Sequence, residues 1–153
     1  MKTIFRNVPK RKMSTFRHAA DFYAHKLMSK RLLKNLMVKI EFIDGLSDKT
    51  SEGGNCIWSD DYIRPREFEI QLDKSDDFEY MLTALAHEMV HVKQWATGEM
   101  KEVWNQNEAC KWLGNVIDTA KTEYWDYPWE IEAHGRERGL YVRFCEESGY
   151  DGK

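Results

Sequence analysis

Phe78-Glu79-Tyr80-Met81-Leu82-Thr83-Ala84-Leu85-Ala86-His87-Glu88-Met89-Val90-His91-Val92-Lys93-Gln94-Trp95 is the stretch that decides what fold this chain can have. No Gly or Pro interrupts it before Gly98, which suits a helix end. Asp76-Asp77 precede it, and acids there favour the positive end of a helix dipole. At about 100° per residue, Phe78, Met81, Leu82, Leu85, Met89 and Val92 share one apolar arc. His87 and His91 fall on the other side, beside Thr83, Ala84 and Gln94. The stretch therefore reads as a helix with a core face and a separate site face.

The site face carries His87-Glu88-Met89-Val90-His91, the one run that names a chemistry. Helical positions i and i+4 lie about 40° apart around the axis, so both imidazoles project together. Two neutral imidazoles at that spacing hold a Zn2+, and Glu88 flanks the place where a water would sit. A carboxylate there serves as general base for a water that the metal acidifies. The plain alternative is two incidental surface histidines on an amphipathic helix.

Working outward, Ser14 is an N-cap for a helix to about residue 30, with Phe16, Ala19, Ala20, Tyr23 and Leu27 at core spacing. Leu36–Ile43 alternates and is β-rich, which predicts a strand. Residues 44–55 read as a loop with Gly45, Gly53 and Gly54, followed by a second strand at Cys56–Ser59. Pro65 breaks the chain before Glu67–Leu72, a third strand by its alternation. Residues 99–123 read as an irregular loop or hairpin with a turn at Gly114-Asn115. Pro128 suits the first position of a final helix to about Glu147. A strand next to the site helix offers a sheet edge on which an extended peptide can lie.

Two histidines leave zinc under-coordinated, because a catalytic site wants three protein ligands and a water. A third histidine six residues beyond His91 is absent: Gln94 and Thr97 stand where that signature has Gly and His. The remaining candidates are Glu130, Glu132 and His134. Glu130 shares an arc with Ala133, Glu137, Leu140, Tyr141 and Phe144, so it faces inward and needs a partner such as a metal. Glu132 lies nearly opposite, with Arg136 and Arg143, on what reads as the solvent face. His134 is one turn on from Glu130 on the same side. Glu130 is favoured as third ligand, His134 next, Glu132 last; without metal, Glu130 would be an acid at a helix N-terminus.

Ala86-His87-Glu88-Met89-Val90-His91 together with Pro128-Trp129-Glu130-Ile131-Glu132-Ala133 resembles the small zincin metallopeptidases with a glutamate third ligand (gluzincin-like), and in particular metallopeptidase-like domains encoded by bacteriophages. The resemblance spans roughly residues 36–145. It implies an α+β zincin-like domain with an N-terminal helix, about three strands, the HExxH helix and a C-terminal helix carrying the third ligand. It also implies one zinc and hydrolysis of a peptide bond. Related glutamate zincins often place an Asp four residues after the ligand to orient a zinc histidine; here that place is His134. The Glu-Met-Val-His run and His134-Gly135 also resemble the SprT-like group, which is the runner-up.

The expected activity is therefore a Zn2+-dependent peptidase on peptide or protein substrates, with His87, His91 and Glu130 on the metal and Glu88 as base. An oxyanion would be met by the metal and by a phenol or imidazole from Tyr124-Trp125-Asp126-Tyr127 or from His134. Packing is the plainer role for that aromatic run. The alternative function is a non-catalytic or nucleic-acid-associated module of the same fold.

A length of 153 residues fits one domain, 1–153, and 6 Trp, 7 Tyr and 7 Phe supply a core despite 32% charged residues. The absence of a long apolar run or a signal-peptide core predicts a soluble cytoplasmic protein without membrane contact. Cys56, Cys110 and Cys145 are odd in number and widely spaced, which argues for thiols rather than disulfides or cysteine-ligated zinc. Net charge is −3, yet residues 1–40 carry 11 Lys/Arg against the single acid Asp21. Such asymmetry can mark a nucleic-acid surface. The expectation here is weak nucleic-acid contact at most, with the charge mainly solvating the first helix.

Overall fold

Alternating apolar residues in two segments build the centre of a sheet. Val38, Ile40 and Phe42 pair in register with Phe68, Ile70 and Leu72, and all six are buried. The computed structural model describes residues 1–50 and 53–150. Along these the order is β1 (Lys2–Arg6), α1 (Met13–Leu27), α2 (Lys30–Leu33), β2 (Met37–Ile43), α3 (Leu46–Thr50), β3 (Gly54–Trp58) and β4 (Glu67–Asp73). Then follow α4 (Phe78–Thr97), β5 (Met100–Glu102), β6 (Ala109–Trp112), β7 (Asn115–Asp118), a 3-10 turn at Tyr124–Asp126 and α5 (Pro128–Ser148).

The fold is mixed α+β with two sheets. The main sheet has four strands rather than about three, in the order β1-β2-β4-β3, because Lys2–Arg6 pairs in parallel with β2. β3 is antiparallel to β4 and forms the opposite edge. The strand directly before the site helix, β4, is therefore interior, and the edge available to a ligand is β3. Residues 99–123 are not an irregular loop: β5, β6 and β7 form an antiparallel meander. Its tight turn is at Leu113-Gly114, one residue earlier than the sequence suggests, with φ of 47° and 92°. Positive φ at both central positions matches the twist of a two-residue hairpin.

The helices also depart in detail from the sequence reading. α1 ends at Leu27, and its N-cap is Lys12 without a side-chain cap bond. Ser14 lies inside the first turn, since Lys12 N–H already bonds to Pro9 O at 3.1 Å and Phe16 N–H to Lys12 O at 3.0 Å. The loop expected over 44–55 contains α3, and β3 begins at Gly54. α4 matches its expectation at both ends. Asp77 accepts from Tyr80 N–H at 2.8 Å, and Gly98 closes the helix with φ 79°. It does not have one core face only: from Leu85 to Ala96 nearly every residue except His91 is buried.

α1 and α5 both pack on α4, and Phe16 meets Phe42 of the sheet at 4.5 Å between ring centroids. Several basic residues of the first forty are engaged within the chain. Lys12 Nζ lies 3.9 Å over the Phe78 ring, and Lys26 Nζ is 2.7 Å from Glu147 Oε1. All three cysteines are free thiols. Among the described residues, no helix is long and apolar enough to cross a membrane.

Asp73 ties the loop after β2 to the end of β4. Its carboxylate accepts from Ser47 N–H at 2.7 Å and Ser75 N–H at 2.8 Å. Burial by itself raises its pKa, but the Ser47 and Ser75 donors outweigh that and hold it well below the usual carboxylate range. A depressed folded pKa stabilises above the unfolded value, about 3.9, and that stability is lost as pH falls below it. Asp73→Ala is thus expected to lower unfolding free energy by about 2 kcal/mol at neutral pH. The gap to the parent should narrow in urea titrations near pH 2.5; an undiminished gap there would contradict the account.

Candidate metal centre

The centre lies where α4 crosses α5. His87 and His91 project from one side of α4, with their Nε2 atoms 3.1 Å apart. Glu130, in the first turn of α5, closes the group. One carboxylate oxygen is 3.3 Å from His87 Nε2 and the other 3.5 Å from His91 Nε2. These three side chains could hold a metal ion. Pro128 at the start of α5 fixes the helix entry, so Glu130 reaches the pair from the helix's first turn.

Each imidazole is oriented through its other nitrogen. Glu137 Oε2 lies 2.7 Å from His87 Nδ1, and a carboxylate can only accept, so His87 Nδ1 carries the proton. Gln94 Oε1 lies 2.8 Å from His91 Nδ1. The amide orientation of Gln94 is fixed in turn, because its Nε2 donates to Trp129 O at 2.9 Å and Glu132 Oε2 at 3.1 Å. Both Nε2 lone pairs are thereby presented to the same point, which is what a metal ligand set requires.

The electrostatics are those of a buried carboxylate held between two imidazoles. Burial lowers the His87 pKa, but hydrogen bonds to Glu130 and Glu137 outweigh it and push it up to about 10. His91 is raised for the same reason, burial opposing and Glu130 prevailing. Glu130 is raised by burial and pulled far below the usual range by His87, His91 and Tyr124. A proton shared by the imidazole pair thus balances the buried carboxylate, and a metal bound there would displace it.

The other sequence candidates are placed differently. Glu132 is not on a solvent face: it bonds to Lys93 Nζ at 2.8 Å, Gln94 Nε2 and Arg136 Nε, away from the histidine pair. His134 sits next to the centre rather than in it, 3.3 Å from the Tyr124 hydroxyl and 3.3 Å from Glu137. With His87 and Glu137 it forms a second group whose ligand atoms lie close together. The residue that orients His87 is Glu137, not position 134. Glu137 was visible in sequence only as an acid on Glu130's arc, and Gln94 only as a departure from a longer zinc signature. Neither role was assigned.

Tyr124 donates to Glu130 Oε2 at 2.8 Å. Tyr127, from the same aromatic run, donates to Thr119 O at 3.0 Å and stacks on Trp129, so its hydroxyl is directed elsewhere. Glu88 is buried, and Gly54 of β3 lies against it: a Cβ at Gly54 would come within 2.9 Å of Glu88 Oε1. Gly54, Glu88, Tyr124, Glu130 and the two histidines border a cleft of about 710 Å³ between β3, α4 and the start of α5. Comparison of the chain with protein families, curated proteins and solved structures finds no match.

Removing a ligand should remove the metal. His87→Ala, His91→Ala and Glu130→Ala are each expected to lose bound metal in elemental analysis, while Glu132→Ala retains it. Glu137→Gln and Gln94→Ala should keep the site but weaken it, by about 10–100-fold in metal affinity. Full retention of metal by Glu130→Ala would remove that residue from the ligand set.

Proposed function

We propose that the protein is a single-zinc metallopeptidase that cleaves peptide bonds. The observation that carries this reading is the convergence of His87 Nε2, His91 Nε2 and the Glu130 carboxylate with Glu88 beside them. Their separations of 3.1–3.5 Å suit one ion: donors around a tetrahedral Zn2+ sit about 3.3 Å apart. A nitrogen-rich set with one carboxylate and no thiolate also suits zinc in a hydrolase.

Zn2+ held there would supply Lewis acidity and make an attacking water acidic near neutral pH. Glu88 would accept the proton of that water and pass it to the departing amine. Its burial keeps the carboxylate close to the reacting centre and away from bulk solvent. Glu137 and Gln94 would hold the two imidazoles in place while charge changes beside them. The Tyr124 hydroxyl and His134 imidazole border the same space and are the groups that can donate to a developing oxyanion.

The substrate assignment rests on β3. Among the described residues β3 pairs only with β4, and Gly54, Asn55, Cys56 and Trp58 border the cleft. An extended peptide can add to such an edge through its backbone, which brings a peptide carbonyl alongside Glu88. The same placement gives Gly54 a function, since any side chain there meets Glu88.

Purified protein should contain about one equivalent of zinc and digest an unfolded test protein in a manner abolished by chelator and restored by Zn2+. Glu88→Gln is expected to keep its metal and its fold while losing hydrolysis by orders of magnitude. Digestion by that variant at the parent rate would refute the proposed chemistry.

Gly54→Ala tests the strand's approach. Its Cβ would also lie 3.2 Å from the fixed Gln71 carbonyl, so Glu88 is the group that must shift. The expected result is unchanged zinc content with kcat reduced about tenfold or more, as positioning errors of an ångström produce. An unaltered kcat would show that Glu88 does not need the space.

A further inference from the structure

The cleft is chemically uneven along its length. Its α4 wall runs from Tyr80 to Trp95, fifteen steps along the helix, with the histidines in the middle. At 1.5 Å per residue that wall is about 22 Å long, room for about six residues of extended peptide at 3.3 Å each. At one end Thr83, Ala84, His134 and Glu137 present small or polar groups, with the Tyr80 and Trp125 rings beside them. Towards the other end the lining is Trp58, Trp95, Met100 and Trp129, with the Trp58 and Trp95 rings 4.0 Å apart. Among the described residues no Lys or Arg borders the cleft at all, whereas three carboxylates do, Glu88, Glu130 and Glu137.

We infer that the Trp58–Trp95–Met100–Trp129 end is a specificity subsite that takes a bulky apolar or aromatic side chain of an internal peptide segment. The inference rests on the peptidase reading and names its substrate class. Three observations converge on it. The aromatic end is continuous with the metal centre and with the β3 edge, so a side chain of a strand-like peptide bound there reaches it without leaving the backbone track. The lining is apolar, and transferring an aromatic side chain from water to such a surface is favourable. The carboxylates near the centre, with no Lys or Arg among the described lining residues, disfavour an acidic side chain and a free C-terminal carboxylate. The wall extends on both sides of the histidines, which suits a substrate that continues past the cleaved bond in both directions.

The strand period places this selectivity on one face of β3. Gly54, Cys56 and Trp58 are two residues apart and share a side, and all three border the cleft. Gly54 leaves room at Glu88, and Trp58 closes the far end. Selectivity and chemistry are thus on the same strand but at separate positions.

The test uses the zinc-loaded full chain and a set of N-acetylated, C-amidated hexapeptides. These carry Phe, Leu, Ala or Asp in turn at each position flanking the cleaved bond. The parent is expected to cleave the peptide with Phe or Leu at one flanking position at least tenfold faster, in kcat/KM, than the Ala or Asp versions. Trp58→Ala should reduce that ratio towards one with zinc content unchanged. Trp58→Arg should shift the preference towards Asp, a gain that a general folding defect cannot produce. Melting temperatures and zinc content accompany each variant. Should Trp58→Ala fail to fold, Trp58→Arg and Met100→Lys address the same end from two elements. Cleavage with no preference among the four side chains, or a preference that Trp58→Arg leaves untouched, would overturn the subsite and leave the peptidase intact. If the parent cleaves nothing while the Glu88→Gln protein binds the Phe peptide more tightly than the Asp peptide in a Trp-fluorescence titration, the subsite stands and the hydrolytic reading fails. Neither cleavage nor binding would overturn both.

Discussion

Two helices of this protein are joined by charge rather than by apolar packing alone, and the rest of the centre depends on that seam. Across α4 and α5, His87 meets Glu130 and Glu137, His91 meets Glu130, and Lys93 and Gln94 meet Glu132. Buried charges cost several kcal/mol each unless they are paired. Every one of these side chains therefore constrains where the other helix can be. A shift of one residue along α5 rotates its side chains by about 100° and would unpair the whole set. Apolar seams tolerate volume-conserving changes; this one does not tolerate a change of register. The geometry of the three donor atoms is consequently set by helix packing before any ligand arrives.

Such a seam is a poor way to gain stability alone. Apolar residues of similar size at a helix interface are often as stabilising as an ion pair, or more so. Its presence where the imidazoles of His87 and His91 meet the Glu130 carboxylate is better understood as preorganisation. The two orienting partners make the point separately. Glu137 is carried by the same helix as Glu130, so ligand and orienter move together. Gln94 is carried by the same helix as His91, three residues on, and is itself tied to Trp129 O and Glu132 of α5. Each helix thus supplies one element that disciplines α4's histidines, and each is locked by the other.

How much of this was legible in sequence follows from how local each signal is. The bounds of the site helix were legible, since Asp77 and Gly98 flank it, and the i, i+4 histidines share a face because of helical geometry alone; its burial on nearly every side from Leu85 to Ala96 was not. Pro128 and the inward arc through Glu130 located the second half of the centre. β2 and β4 were legible because each alternates over seven residues. β1 was not, since Lys2-Thr3-Ile4-Phe5-Arg6 is short and basic and its partner lies some 35 residues away. β5, β6 and β7, of three or four residues each, are too short for alternation to register. Glu132 was misjudged for another reason. A helical wheel gives direction about one axis but not which neighbour lies there, and here Lys93 and Gln94 of α4 reach round to it. The same limit hid Glu137 and Gln94, whose roles exist only once two helices are docked.

The strand at the open edge shows how few residues separate chemistry from recognition. Gly54 lies against Glu88, and Trp58 lies against Trp95. Those are four steps on β3 and seven on α4, or about 13 Å of strand against about 10.5 Å of helix. The two contacts fall in the same order along both elements, so strand and helix run alongside each other in the same direction. Side-chain size on the inward face of β3 rises from Gly through Cys to Trp over that distance. A substitution at position 54 is felt by a carboxylate and one at position 58 by an aromatic wall, although only Cys56 lies between them on that face. The two properties can change independently because the strand's two-residue period keeps them on one face while α4's longer spacing keeps them apart.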